Sequence, residues 1–183
     1  MAKVTTRIGD DGYTGLLGDE RVPKYDARIE AMGSLDEASA ALGLARSLTN
    51  SERVRNTIED LQRGLYRLMG EVAATPETAG QLGIRITSAD VSRLEETQAE
   101  FQRDVPIANA FIIPGATSAS AAIDLGRTIV RRGEREVARL FHEGAVANQD
   151  VLRYLNRLSD LLFVLARFEE LQHGTRAPMA RQV

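Results

Sequence analysis

Val54-Arg55-Asn56-Thr57-Ile58-Glu59-Asp60-Leu61-Gln62-Arg63-Gly64-Leu65-Tyr66-Arg67-Leu68-Met69-Gly70-Glu71-Val72 is the stretch that sets the fold class. Val54, Ile58, Leu61, Leu65, Leu68 and Val72 step alternately by four and three residues. At 3.6 residues per turn those six side chains share one stripe of a helix. A narrow stripe of this kind is the seam of an antiparallel helix bundle. Its task is packing.

The same period recurs on both sides. A helix is expected from about Asp26 to Leu48, with Ile29, Met32, Leu35, Leu42 and Leu48 on its apolar face and Asp36 and Glu37 in its middle. Residues 74–87 carry Pro76, Gly80 and Gly83, which break the period and read as a loop. Another helix starts near Ser88, turns Val91, Leu94 and Phe101 inward and fades at Asp104. A further one opens at Thr117 or Ser118 as N-cap, runs to about His142 and ends at Gly144. The last spans about Gln149 to Gln172 on a Leu155, Leu158, Leu162, Leu165 seam, with Asn156 and Asp160 as a polar pair one turn apart. The expected fold is all-α: one five-helix bundle domain over 1–183. It comprises a glycine-rich arm (1–24) with little strand signal, the bundle (25–173) and a flexible, frayed tail (174–183).

Composition narrows the chemistry. With 183 residues and 43% apolar content the chain can bury one good core. A formal net charge of −3 argues against a nucleic-acid binder held by bulk electrostatics. The absence of cysteine removes disulfides, thiolate metal sites and cysteine nucleophiles. No stretch matches a signal peptide or a membrane span, so the expected setting is cytoplasmic, without membrane partners. Of the two histidines, His142 and His173, only His173 has a Glu three residues earlier (Glu170), so the paired Glu-x-x-His motifs of a di-iron bundle are not present. No nucleophile elbow supports a Ser/His/Asp hydrolase.

Anion recognition remains. In Arg127-Thr128-Ile129-Val130-Arg131-Arg132-Gly133-Glu134-Arg135, residues Arg127, Arg131 and Glu134 share one narrow stripe with Arg135 at its edge. Ile123, Val130, Val137 and Phe141 form an apolar stripe beside it. Such a basic row either pairs with acids on neighbouring helices or holds a polyanion at the bundle edge. Thr5-Thr6-Arg7-Ile8-Gly9-Asp10-Asp11-Gly12-Tyr13-Thr14-Gly15 is either a surface turn or a phosphate-binding loop, with Lys24 a further cation after it. Val105-Pro106-Ile107-Ala108-Asn109-Ala110-Phe111-Ile112-Ile113-Pro114-Gly115 is apolar but cannot be helical throughout, so Phe111 is a core plug or a pocket wall. Asp10 or Glu134 would suit a cation or Mg²⁺ accompanying a phosphate substrate.

Together these stretches resemble the PduO-type ATP:cob(I)alamin adenosyltransferases, over nearly the whole chain. Thr6-Arg7-Ile8-Gly9-Asp10-Asp11-Gly12-Tyr13-Thr14 is similar to that family's Thr-Lys-x-Gly-Asp-x-Gly-x-Thr/Ser loop, and Gly33-Ser34-Leu35-Asp36-Glu37 to its Gly-x-x-Asp-Glu. Phe111 to Gly115, Arg127 to Arg135 and Tyr154-Leu155-Asn156-Arg157-Leu158-Ser159-Asp160 follow in the expected order.

The resemblance implies a homotrimer with ATP at each subunit interface, and transfer of the 5′-deoxyadenosyl group from ATP to cob(I)alamin with release of triphosphate. It places Thr6, Arg7, Ile8, Gly9, Asp10, Thr14, Gly15 and Lys24 of the arm at ATP. From the helices it adds Arg131, Arg132, Gly133, Glu134, Arg135 and Asn156. Asp36 would pair with Arg127 across the interface, and Phe111 would help exclude the corrinoid's lower axial ligand. Arg131, Arg127, Glu134, Asp36 and Phe111 are the residues implied in catalysis, with ATP, Mg²⁺ and cobalamin as ligands. A reductase or a cobalamin-dependent acceptor enzyme is the implied protein partner.

Three positions depart from the family pattern. Arg7 stands for the usual Lys, Asp11 occupies a position often basic, and Gly133 replaces Ala at a cost of roughly 1 kcal/mol of helix propensity. Two competing readings keep the bundle but drop the chemistry: a non-catalytic nucleotide or cobalamin binder, and a structural bundle whose arginines pair only between subunits.

Overall fold

A computed structural model describes residues 5–18, 20–107 and 110–181, with only the backbone for residues 76–77. In chain order the elements are β1 (Tyr13–Gly15), β2 (Arg21–Pro23), α1 (Ala27–Leu48), α2 (Glu52–Ala73), α3 (Pro76–Leu82), α4 (Ser88–Gln102), α5 (Ser118–His142) and α6 (Gln149–Gln172). The five long helices are the five that the periodicity predicts, and the chain is mainly α-helical as expected.

Each long helix opens on a side-chain cap. Asp26, Ser51, Thr87, Thr117 and Asn148 accept a hydrogen bond from a backbone N–H in the first turn, supplying orphan amides that the helix cannot satisfy itself. Thr87 with Asp90, and Thr117 with Ser120, complete reciprocal capping boxes. Gly144 (φ 76°) provides the left-handed residue that ends α5.

The principal neighbours are α1 with α5, α5 with α6, α1 with α2, and α4 with α6. All six seam residues of α2 are buried, as are Leu155, Leu158, Leu162 and Leu165 of α6. The face α1 buries keeps Leu35 and Leu42 of the one expected, and the rest of it is alanine and serine. It consists of Ala31, Ser34, Leu35, Ala38, Ala41, Leu42 and Ala45, while Ile29 and Met32 are half-buried and Leu48 is exposed. The reason is proximity to α5. A Cβ at Gly126 would lie 2.9 Å from Leu42 Cδ2, and one at Gly133 would lie 2.7 Å from Leu35 Cδ2. Two glycines seven residues apart on α5 and an alanine face on α1 let the two helices approach closely.

Three further expectations are corrected. The segment read as a loop at 74–87 contains α3, started by Thr75 as N-cap and a proline in the first turn and stopped by Gly83 at φ 64°. The arm holds a short antiparallel hairpin, with Tyr13 opposite Pro23 and Gly15 opposite Arg21, too brief for alternation to reveal. Between Thr175 and Ala180 the tail, expected to fray, is tied to the rest of the chain. Ile113 N–H donates to Pro178 O (2.8 Å), and Ala180 N–H donates to Phe111 O (2.8 Å). The Ala177 amide donates to the buried Glu170 carboxylate (3.0 Å). Within the apolar connection, Ala108 and Asn109 lie outside the described residues.

Candidate active site

The site residues fall into an arm group and a helix group. In the arm, Arg21 Nη2 donates both to Ile8 O (2.8 Å) and to Asp11 Oδ1 (2.9 Å), while Tyr13 N–H donates to the same carboxylate oxygen (3.1 Å). The Arg21 hydrogen bond, followed by that from Tyr13, holds the Asp11 carboxyl below its usual range. Asp11 is therefore committed to folding the loop, and its charge is met by Arg21. Lys24 closes the arm: its N–H donates to Gly12 O (2.9 Å), and its Cε and Nζ would each stand 3.1 Å from a Cβ at Gly9. Gly9 thus leaves room for the Lys24 ammonium against the loop backbone.

Arg7 has φ 63°, the one positive-φ non-glycine position among the described residues. Such strain, of order 1 kcal/mol, persists where the surrounding structure imposes it and is concentrated at functional loops. Thr6, Arg7, Ile8 and Asp10 are exposed, and Thr14 is half-buried. The arm is anchored through Leu17, whose N–H donates to Ala73 O (3.0 Å) at the end of α2.

In the helix group, α5 meets partners on both sides. Arg132 Nε donates to Ser34 Oγ (3.2 Å), and its guanidinium pairs with Glu37. Helical angle sets Arg132 off the arginine stripe, and α1 accounts for it, turning it toward Ser34 and Glu37. On the other side, Asn156 Nδ2 donates to Glu134 Oε1 (3.0 Å), while Arg157 donates to Asn156 Oδ1 and pairs with Asp160 (3.0 Å). Arg135 Nη1 donates to Arg131 O (2.9 Å). The Arg131 side chain is exposed and has no side-chain partner among the described residues. The row therefore presents one uncommitted guanidinium between two anchored polar groups.

Arg127 and Asp36 are not paired within the chain. Arg127 Nε donates to Asp124 Oδ1 (2.9 Å) one turn earlier, and Asp36 is exposed. Asp124, buried, also receives Arg167 Nη2 (2.7 Å), which in turn reaches Glu170 (2.7 Å). This buried network, with Ser34 and Glu37 as anchors of Arg132, is what sequence reading missed. Its one visible signal was the acids and arginine inside otherwise apolar helical runs.

Phe111 is 89% exposed, so the plug reading fails. It stands beside Ile113 and Met179, also exposed, where the connection pairs with the tail. Behind that pairing a small cavity of about 80 Å³ is lined by Ile107, Ile112, Phe163 and Arg167 among others. Among the described residues no group of three or more His, Cys, Asp or Glu is arranged to hold a metal, and no helix is long and apolar enough to cross a membrane.

Comparison with known proteins agrees with this geometry. Residues 4–169 match the family model for cobalamin adenosyltransferase. The chain is 37% identical over 167 residues to the corrinoid adenosyltransferase PduO of Salmonella typhimurium, covering 91% of this chain but only 49% of that protein, so it spans about half the length of that relative. It is 34% identical to the Mycobacterium leprae corrinoid adenosyltransferase, covering 91% of each. Among solved structures, a variant PduO-type ATP:corrinoid adenosyltransferase from Lactobacillus reuteri, complexed with cobalamin and ATP, superposes with a TM-score of 0.89 at 32% identity, over 98% of this chain and 97% of that one. A second variant from the same organism, complexed with ATP, gives a TM-score of 0.88 at 31% identity, over 97% of this chain and 100% of that one. Fold, motif order and matched length converge on one assignment: the chain belongs to the cobalamin adenosyltransferase family.

Proposed function

We propose that this protein transfers the 5′-deoxyadenosyl group of ATP to cob(I)alamin, at a site completed between the subunits of a homotrimer. The observation that carries the proposal is the arrangement about Arg131: an exposed, unpartnered guanidinium flanked by Arg132 on Ser34 and Glu37 and by Glu134 on Asn156.

In the reaction Co(I) supplies the electron pair for a new Co–C bond to the ribose 5′-carbon. The C5′–O bond breaks, and its electrons leave on triphosphate. No protein nucleophile takes part. The chain's work is to position the two substrates and to meet charge gathering on the leaving group. Arg131, whose side chain has no partner among the described residues, suits that second task, since its planar fork donates to phosphate oxygens in pairs. The exposed arm would enclose the triphosphate through Thr6, Arg7, Ile8, Gly9, Asp10, Thr14, Gly15 and Lys24. Arg132, Glu134, Arg135 and Asn156 would complete the helix side, while Gly133, buried against Leu35, would act through the helix spacing it allows.

Three features favour an interface site. No hydrogen bond or ion pair among the described residues joins the arm to Arg131–Arg135. Asp36 is exposed and has no partner among the described residues, which leaves it open to Arg127 of another subunit. Phe111, Ile113 and Met179 expose apolar area that a flat corrinoid face and a neighbouring subunit would cover. Mg²⁺ would travel on the ATP phosphates, with Asp10 or Glu134 at most touching it, because the described residues form no metal cage. We place the protein in the cytoplasm, where an external reductase would deliver the electron that makes Co(I) from Co(II).

Anaerobic incubation with ATP, Mg²⁺ and chemically reduced cobalamin tests the proposal, with the corrinoid spectrum as readout. Adenosylcobalamin should form with one triphosphate released per turnover. ATP binding without adenosylcobalamin would instead mark a non-catalytic binder.

A further inference from the structure

The principal helix neighbours leave one gap. α2 and α4 run antiparallel but are not among the closely packed pairs. They are tied at both ends: Arg53 pairs with Asp104 (2.9 Å) and lies over the Phe101 ring (3.9 Å), and Arg67 pairs with Asp90 (2.5 Å). Between the ties is a cavity of about 300 Å³. Leu61, Leu94 and Tyr154 line it together with Asp60, Arg63, Arg67, Asp90 and Arg93.

The phenol of Tyr154 is the unusual member. The residue is 4% exposed, yet its hydroxyl has no hydrogen-bond partner among the described residues and faces this cavity. The hydroxyl oxygen is not among the fully buried side-chain atoms that lack a partner, so it opens onto the cavity, where a phenol donor ordinarily takes a ligand or water. Gly64 makes its position possible: a Cβ there would overlap the hydroxyl and stand 2.9 Å from Cζ.

The acids on the walls are already engaged. Asp90 accepts from Arg67, from the Thr87 amide (2.9 Å) and from the Thr87 hydroxyl (2.7 Å), while Asp60 faces Arg63 (3.4 Å). Arg93 is different, since no acid pairs with it among the described residues. An unpaired guanidinium and an unpaired phenol donor thus share one cavity with a partly apolar floor.

We infer that this groove is a second ligand site, which takes a small oxyanion, phosphate or carboxylate, on Arg93 and the Tyr154 hydroxyl. It lies on the α2–α4 side of the bundle, away from the Arg131 row, and does not depend on the proposed reaction. Donors of both kinds would converge on the anion, and Thr57 and Thr97 at the cavity wall keep lone pairs for a ligand hydroxyl.

The chain has four tyrosines and no tryptophan, so fluorotyrosine labelling gives a readable fluorine NMR spectrum. Tyr154→Phe assigns the groove signal, and Tyr13 reports on the arm. Inorganic phosphate should shift the Tyr154 signal saturably, where sodium chloride at equal ionic strength does not. Arg93→Ala should weaken that binding by at least about tenfold, the worth of one charge-assisted hydrogen bond. Repeating the titration with succinate identifies the anion class as whichever saturates at lower concentration. A Tyr154 signal unmoved by both anions, one moved equally in Arg93→Ala, or a response confined to Tyr13 would overturn the inference.

Discussion

Gly133 on α5 lies against Leu35 on α1 so closely that a Cβ at Gly133 would stand 2.7 Å from Leu35 Cδ2 and 3.2 Å from its Cγ. This contact accounts for a glycine inside a 25-residue helix. It also sets the spacing at which Arg132 reaches Ser34 and Glu37. Gly133→Ala regains about 1 kcal/mol of helix propensity but overpacks a fully buried leucine, which typically costs about 1–3 kcal/mol. A net loss of roughly 1 kcal/mol is expected in urea unfolding. A variant as stable as the parent, or more so, would show that Leu35 can move aside.

Asp124 holds two arginines in a buried setting, Arg127 at 2.9 Å and Arg167 at 2.7 Å. Asp124→Ala leaves Arg167 with Glu170 alone and a second guanidinium without its partner. The expected loss is about 3–5 kcal/mol, the usual penalty for removing one member of a buried pair. A loss below about 1 kcal/mol in the same unfolding experiment would mean that the network is more hydrated than its burial implies.

Asp90 carries a pH signature. Burial alone would raise its pKa, but hydrogen bonds from Arg67 and Thr87 outweigh it and hold the carboxyl below its ordinary value of 3.8. A carboxyl depressed in the folded state stabilises the protein above its unfolded pKa, and that contribution is lost as pH falls through the folded pKa. Asp90→Asn should therefore be less stable than the parent at about pH 5, with the gap narrowing toward about pH 3. Unfolding midpoints across that range give the comparison, and a constant gap would assign the loss to helix capping geometry rather than charge.

Phe111, at 89% exposure, contributes little to the core of the single chain. Phe111→Ala should leave unfolding within about 0.5 kcal/mol of the parent. Adenosylation that starts from Co(II) with a reductant should fall further than adenosylation of pre-formed Co(I), if the side chain helps exclude the lower axial ligand as the family resemblance implies. Equal losses in the two assays would reduce Phe111 to a packing role.

How far the sequence could be read depended on the period involved. The Val54 to Val72 seam and the Leu155 to Leu165 seam repeat over several turns, and both are buried as expected. The hairpin was invisible because its strands, Tyr13–Gly15 and Arg21–Pro23, are too short to show alternation. On α1, Leu35 and Leu42 are buried as expected, but the alanine part of the face was missed because Ala31, Ala38, Ala41 and Ala45 carry little hydrophobic signal, and their meaning depends on Gly126 and Gly133 a long way along the chain. At the site, motif order located the arginine row. It did not show that Arg127 is held by Asp124 within its own chain, nor that Arg132 rests on Ser34 and Glu37, since both depend on helix rotation.

The central claim is that an uncommitted Arg131 stabilises the triphosphate leaving from ATP as cob(I)alamin takes the adenosyl group. Its most direct test is anaerobic adenosylcobalamin formation by the parent protein and Arg131→Ala, each with ATP, Mg²⁺ and pre-reduced cobalamin. The account predicts steady product formation by the parent and a rate at least ~100-fold lower for the variant, the usual scale for losing one group that meets developing charge, with unfolding unchanged. Near-parental turnover by Arg131→Ala, or no adenosylcobalamin from the parent itself, would contradict it.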